Sequence, residues 1–456
     1  MAESVAQSAA TSGTAAGMRS VVRPINVLRL PAPPSLQALG DFLQRRQTLV
    51  LRIQWAFAAL YAFLLIGPVV LPPPLAQAGV FDSLARFAEA LFWGIWWPGV
   101  LLATLLFGQL WCGVLCPDGM LTEFASRHGK GAKIPAWLRW SGWPMLGFSL
   151  LIVYEHLTDA YRSPNATLAL LGGASLLAIV TGTLVGRSKR VWCRYLCPLA
   201  NVFSLLSRCA IFHFRVDREA WDSAPRLPRS QARAVDCPLL LDVRRLRSNE
   251  KCNMCGRCSG HRNAVQLALR QPGGEIAALG AGQGEARRWE ALVIAFVLIG
   301  LSFGALHWRG SPWHAALGVA LQGWTPWTSA ALAILLPALL IGSGVALLLL
   351  LAGAGSLQRS VRLAYGLIPL AGIGLFVGSL EYSLGILARE GLALGHLLPT
   401  LRAAVLLPAL IWSGALGWLQ LRGEIIAPWC RHGALVIYLL TAALLGGCYQ
   451  IVPFPL

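Results

Sequence analysis

WCGVLCPDG at residues 111–119 and WCRYLCPLA at residues 192–200 write one phrase twice. In each copy Trp precedes a Cys, a second Cys follows four residues on after Leu, and Pro comes next. The i, i+4 spacing of Cys112/Cys116 and of Cys193/Cys197 sets both sulfurs of a pair on one face of a helical turn. Pro117 and Pro198 are then placed to start a following helix, where a first-turn Pro forfeits no hydrogen bond. Each phrase also comes just after a long apolar segment, which puts the thiols at a membrane face.

Working outward, the 456 residues are 56% hydrophobic and only 13% charged, with 18 Trp. That balance overrides the several soluble domains that length alone would imply. Apolar segments lie near residues 49–71, 88–110, 140–157, 166–186, 290–307, 327–352, 363–384, 402–421 and 433–452. The expected fold is therefore an all-α polytopic membrane protein of about nine transmembrane helices, with a small ferredoxin-like cysteine-rich cytoplasmic segment. The third segment is the weakest, because Trp143-Pro144 interrupts it and Glu155 and His156 crowd its end.

A net charge of +18 would fit nucleic acid, but the basic residues lie between and beside the apolar segments, so no nucleic-acid partner is expected. With the N-terminus inside, only Arg86, Arg162, Arg309, Arg389 and Arg402 of the 38 Lys and Arg fall outside. That bias survives removal of the long 187–288 segment, whose length makes it a poor witness. The chain divides into a flexible cytoplasmic tail (1–48), two transmembrane hairpins each ending in W-C-x-x-L-C-P (49–200), a cytoplasmic cysteine-rich segment (201–288) and a five-helix membrane module (289–456). Arg45-Arg46 before an apolar run raises a twin-arginine signal, with Ala76-Gln77-Ala78 beyond it. The run is longer than a signal core of about 7–15 residues, so it reads as an anchor.

A third cysteine group, KCNMCGRCSG at 251–260, keeps the C-x-x-C-x-x-C spacing of ferredoxin loops with Cys252, Cys255 and Cys258. No Cys-Pro follows it, so a fourth ligand must come from elsewhere, and Cys237, followed by Pro238, is the cytoplasmic candidate. Two pairs, three loop cysteines and Cys237 supply eight thiolates, the requirement of two [4Fe-4S] clusters. Which Cys serves which cluster stays open. Zinc is the alternative metal, but its sites combine two pairs, often with His. Cys209, Cys430 and Cys448 are left as packing residues.

With these motifs the chain resembles the NapH/NosR-type membrane polyferredoxins, to which the CcoG-type proteins are related; the resemblance covers roughly residues 49–265. It implies a multi-pass protein of the bacterial inner membrane, N-terminus and cysteine clusters cytoplasmic, with two [4Fe-4S] clusters bound by Cys112, Cys116, Cys193, Cys197, Cys237, Cys252, Cys255 and Cys258. Such a protein passes electrons between the quinol pool and a partner redox protein, cytoplasmic or periplasmic. As an enzyme it would be the membrane component of a quinol dehydrogenase. A second reading is a redox maturation or sensory protein that reduces a metal or disulfide during assembly of another enzyme. The incomplete ferredoxin run and residues 289–456 depart from the small members of the family.

Among other polar residues, Glu89, Glu155, His156, Asp159 and Glu381 lie near span ends and read first as interface markers, with proton transfer the functional alternative. His307, His314 and His396 also fall near span ends, and no C-x-x-C-H motif occurs. Arg244, Arg245, Arg247, Lys251, Arg257 and Arg262 surround the third cysteine group, either to dock an acidic carrier or to hold the segment against anionic lipid.

Overall fold

The computed structural model describes residues 33–451 apart from Ala76, 226–234, 281–283, Gly310, Gly323 and Ile425. Residues 1–32 of the expected tail lie outside the described residues. The rest of that stretch is helical, correcting the flexible reading: α1 (Pro34–Arg45) starts on a Pro at its first turn and packs on the cysteine-rich segment through a Gln37–Gln266 hydrogen bond and a bond from Ser259 to Asp41.

Eight helices are long and apolar enough to cross a membrane among the described residues. They are α2 (Gln47–Val70), α3 (Leu84–Phe107), α7 (Pro164–Leu184), α10 (Arg288–His307), α11 (Pro326–Ala352), α12 (Ile368–Arg389), α13 (Gly395–Arg422) and α14 (Pro428–Ile451). The third expected span is instead α6 (Trp143–Leu157), 15 residues and so about 22 Å long, short of a hydrocarbon core of about 30 Å. It begins beside Asn201, which donates to the Ser141 carbonyl, and ends where Arg309 reaches the His156 carbonyl. It is thus the outgoing leg of the second hairpin. Helix α3 carries a π-helical stretch at Ala90–Trp96 and α7 one at Leu168–Gly172, as does α10 at Val293–Leu301.

The Cys phrases follow the returning helices through sharp turns. After α3 the chain turns at Gly108, whose φ of +82° suits glycine, and forms α4 (Leu110–Val114) and α5 (Pro117–His128). Helix α5 runs back out along α7, so close that a Cβ on Gly182 would lie 2.3 Å from the Thr122 carbonyl oxygen. Lys130 then bonds the Thr183 carbonyl at the end of α7. The second copy forms α8 (Val191–Tyr195) and α9 (Ala200–Ser207). Non-helical backbone at this depth is tolerated because protein surrounds it.

The cysteine-rich segment is built on an antiparallel pair, β1 (Phe212–Val216) and β2 (Val265–Leu269), with Phe212 opposite Leu269 and Val216 opposite Val265. Leu36 of α1, Phe214, Val243, Met254, Val265 and Leu267 form its small core. The C-terminal module joins through a buried ion network. Arg208 after α9 reaches Glu290 of α10 at 2.8 Å and Glu250 at 3.0 Å, and the Tyr365 hydroxyl donates to Glu290 at 2.5 Å.

Candidate functional site

The two phrases fold alike. In each, the amides of Leu and the second Cys both donate to the Trp carbonyl: Leu115 and Cys116 to Trp111 at 2.9 Å, Leu196 and Cys197 to Trp192 at 2.9 and 2.8 Å. Leu115 (φ −120°, ψ −24°) and Leu196 (φ −120°, ψ −29°) end the two turns in the same conformation. Pro117 is the first residue of α5, as the spacing predicts. Pro198 differs, lying in a turn before α9 starts at Ala200.

The turns meet. Cys112, Cys116, Cys193 and Cys197 line one internal cavity of about 130 Å³, and as thiolates they would repel one another. Burial pushes Cys116 up to about 12 and holds Cys112, Cys193 and Cys197 well above the ordinary thiol range. Backbone amides of Gly119 and Asp118 donate to the Cys116 sulfur, and that of Leu199 to the Cys197 sulfur. Such a donor set of apposed, desolvated thiols wants a cationic centre in their midst.

Asp118 follows Cys116-Pro117, and the Ser175 hydroxyl, midway along α7, donates to it at 2.5 Å. Leu170, Leu171 and Ala174 of the same helix line the cavity, and Leu239, Glu250, Lys251 and Asn253 of the cysteine-rich segment line it too.

Cys237, Cys252, Cys255 and Cys258 form a second group around a smaller cavity, which Pro238 and Arg257 also line. Here too burial pushes Cys252 up to about 12 and raises Cys255 and Cys258. The Met254 amide donates to the Cys252 sulfur and the Arg257 amide to that of Cys255. Met254 itself takes a left-handed φ of +53° while almost fully buried, a strained conformation held by its surroundings. Among the described residues no three His, Cys, Asp or Glu side chains converge on a point where one ion would sit. A cubane asks for something wider, since each thiolate binds a different iron.

The groups are in contact. A Cβ on Gly113, between Cys112 and Cys116, would lie 2.0 Å from the Asn253 carbonyl oxygen and 2.8 Å from the Cys255 nitrogen. Gln54 of α2 donates to the Gly113 carbonyl and Gln47, two turns earlier, to that of Cys255, so the second group lies nearer the start of α2. Arg190, only 1% exposed, bonds the Cys112 carbonyl at 3.0 Å and Glu123 at 2.9 Å. Arg257 closes on the same carboxylate at 2.8 Å. Burial alone would raise the Glu123 carboxyl, but the two guanidinium groups outweigh it and hold it down at about 2.

Not every expected residue belongs here. Cys209 is buried in the main hydrophobic core, and Cys430 and Cys448 lie on α14, as packing positions would. Arg244 and Arg245 are exposed and paired with Asp222 and Asp242, whereas Lys251 pairs with Glu250 and Arg257 turns inward. Of the acids near span ends, three are buried: Glu89 bonds Tyr382 and Arg389, Glu381 pairs with Arg402, and Glu155 bonds Tyr161, while half-exposed Asp159 pairs with Arg309. They line or border a cavity of about 320 Å³ at the end of the bundle away from the cysteines. Arg190, Glu123, Tyr61, Asp118 and Ser175 were not singled out from sequence. Asp118 directly after a Cys-Pro, with Glu123 five residues further on, is the signal the sequence offers.

A family model described as a 4Fe-4S binding domain matches residues 89–135 and 168–219, which contain both phrases and the helices that carry them. The regulatory protein NosR of Pseudomonas aeruginosa is similar to this chain, with 26% identity over 255 residues, 48% of this chain and 34% of NosR. The chain therefore spans about a third of that relative's length. No solved structure matches it.

Proposed function

Given an iron–sulfur electron-transfer protein of the membrane that resembles the NosR/NapH type, we propose that it holds two [4Fe-4S] clusters and passes electrons from the quinol pool to a partner oxidoreductase. Cys112, Cys116, Cys193 and Cys197 bind one cluster, and Cys237, Cys252, Cys255 and Cys258 the other. The observation that carries this is the sorting of eight thiols into two buried groups of four that touch at Gly113 and Asn253. When bound, a [4Fe-4S] cluster supplies one-electron transfer, which is the cofactor's own chemistry.

The chain's part is positional. The paired turns hold the first four thiols together among the helices. The loop holds the second four toward the surface, where a redox partner can approach. Two clusters held this way would together accept the two electrons that a quinol gives up as it loses its two hydroxyl protons and becomes the quinone. Arg190 lies between both groups and places fixed positive charge there, which favours the added electron on either side. The lipid bilayer is that of the bacterial inner membrane, with the cysteine-rich segment on the cytoplasmic side, and residues 289–456 brace the platform through the Arg208–Glu290 network.

Anaerobic purification with iron and sulfide analysis and EPR of the reduced protein tests the reading. About eight iron per chain is expected; four iron, or zinc instead, overturns it. Quinol-driven appearance of the reduced signal supports electron transfer from the pool. The second reading, a maturation or sensory role, draws on the regulatory role in the relative's name. It would be favoured if quinol leaves the clusters oxidised and deletion strips a metal from another enzyme.

A further inference from the structure

The cavity of about 320 Å³ beside the buried acids lies where the two halves of the chain meet. Trp93 and Trp97 of α3 and Glu155 of α6 come from the hairpins, while Ser302 of α10 and Tyr382 of α12 come from the C-terminal module. Its volume is in the range of about 300–1,000 Å³ typical of small-molecule sites. The exposed edge is charged: Asp159, its partner Arg309, and Arg389 are each more than a third exposed. Further in, aromatic rings gather. Tyr161 lies 4.6 Å from Trp93, 4.9 Å from Tyr382 and 5.7 Å from His156, centre to centre.

Glu155 stands in this aromatic wall, 2% exposed. The Tyr161 hydroxyl bonds its carboxylate, but its Oε1 has no hydrogen-bond partner among the described residues. The indole N–H of Trp308, in the same wall, has none either. Leaving such groups unmet is costly, and no neighbouring side chain meets them, so the missing partners have to come from what the wall encloses. That requirement sorts the occupants. An acyl chain would satisfy neither group and would lie against charged side chains. An anion would meet Glu155 and Asp159, and an organic cation would meet Arg162, Arg309 and Arg389. A neutral aromatic ring with hydroxyl groups suits all of them, since the ring packs on Tyr and Trp and a hydroxyl donates to the carboxylate. A hydroquinone is such a molecule, and its oxidised form lacks the donor.

The cavity also backs onto the thiols. Trp97 in its wall lies 6.1 Å from Trp96, and Trp96 lies 5.8 Å from Trp111, centre to centre. Trp96 and Trp111 line the space that holds Cys112 and Cys116. Two neighbouring indoles thus stand between the two cavities.

We propose that this junction cavity binds the head of a quinol, its ring among Trp93, Tyr161 and Tyr382 and one hydroxyl donating to Glu155, with Trp97, Trp96 and Trp111 bridging to the first thiol group. The inference deepens the electron-transfer reading and rests on it for the electrons' destination.

The test uses the full chain in phospholipid nanodiscs, irradiated with an azidoquinone, with the labelled peptides mapped. Labelling is expected within residues 152–162, 302–309 and 375–389, displaced by excess ubiquinol or menaquinol but not by added phospholipid. Ala388→Trp, at an exposed position of the wall, should block it. Glu155→Leu should raise the quinol concentration for half-displacement by about 10- to 100-fold, the worth of a hydrogen bond to a charged group. Glu155→Gln, which keeps an acceptor, should raise it less. All three variants should keep the parent's iron content. Labelling that maps elsewhere, that survives Ala388→Trp, that phospholipid displaces equally, or that quinol displaces as well from Glu155→Leu as from the parent overturns the site. Labelling as expected, with clusters that quinol does not reduce, would instead overturn the electron-transfer reading and leave the quinol site standing.

Discussion

Cys112, Cys116, Cys193 and Cys197 hang from two copies of one helical turn, whereas Cys237, Cys252, Cys255 and Cys258 sit on irregular backbone beside a two-stranded sheet. The first group lies among helices, with the loop at Asn253 closing one side, and its thiols come from two distant hairpins, so its geometry depends on how α5 packs against α7. The second draws three of its four thiols from seven consecutive residues and has only a small core of its own.

The sharpest break in the comparison is loss of a thiol from one group alone. Cys193→Ser should remove about half the iron and leave the other cluster's EPR signal; loss of both signals would show that the groups fold as one unit. Gly113→Val attacks their contact, since its Cβ would sit on the Asn253 carbonyl. It should move the loop away from the turn and abolish magnetic interaction between the reduced clusters, with both still bound.

A smaller effect is expected at the ion bridge. Glu123→Gln leaves buried Arg190 without its counter-charge, which costs about 3–5 kcal/mol when one partner of such a pair is removed. The same bridge predicts acid sensitivity. Glu123 lies at about 2 in the fold against an ordinary 4.5, so its stabilisation is complete above pH 4.5 and is lost as the pH falls through about 2. The window is on the order of 3 kcal/mol, and thermal unfolding at pH 6 and pH 3.5 should show a decline in the parent that Glu123→Gln lacks. Smallest of all, Arg245→Ala at the exposed rim of the loop should shift stability by less than about 0.5 kcal/mol. If it slows electron delivery to an acidic carrier at low salt, the loop face is the exit.

Much of this was legible in the residues. Eight of nine spans follow from apolar length, and the ninth was already marked by Pro144 and by Glu155 at its end. The eight cysteines were visible by spacing, including Cys237, which a Cys-Pro and simple counting singled out. What spacing does not carry is partnership: Cys116 and Cys193 lie 77 residues apart, and only the packing of two hairpins makes them neighbours. The buried acids show the same limit. Glu89 and Glu381 look like interface residues until Arg389 and Arg402 on other helices are seen to neutralise them.

From the sequence alone come the helical membrane class, the duplicated turn and the candidate thiols, because periodicity, hydropathy and metal-ligand spacing are local properties of a chain. The tertiary structure decided that the doubled phrase turns back into the bundle after α3, and that its four thiols line one cavity and the loop's another. Those depend on close approaches between distant segments, such as Gly182 on Thr122 and Gly113 on Asn253, and packing of that kind is set by three-dimensional complementarity that no local pattern encodes.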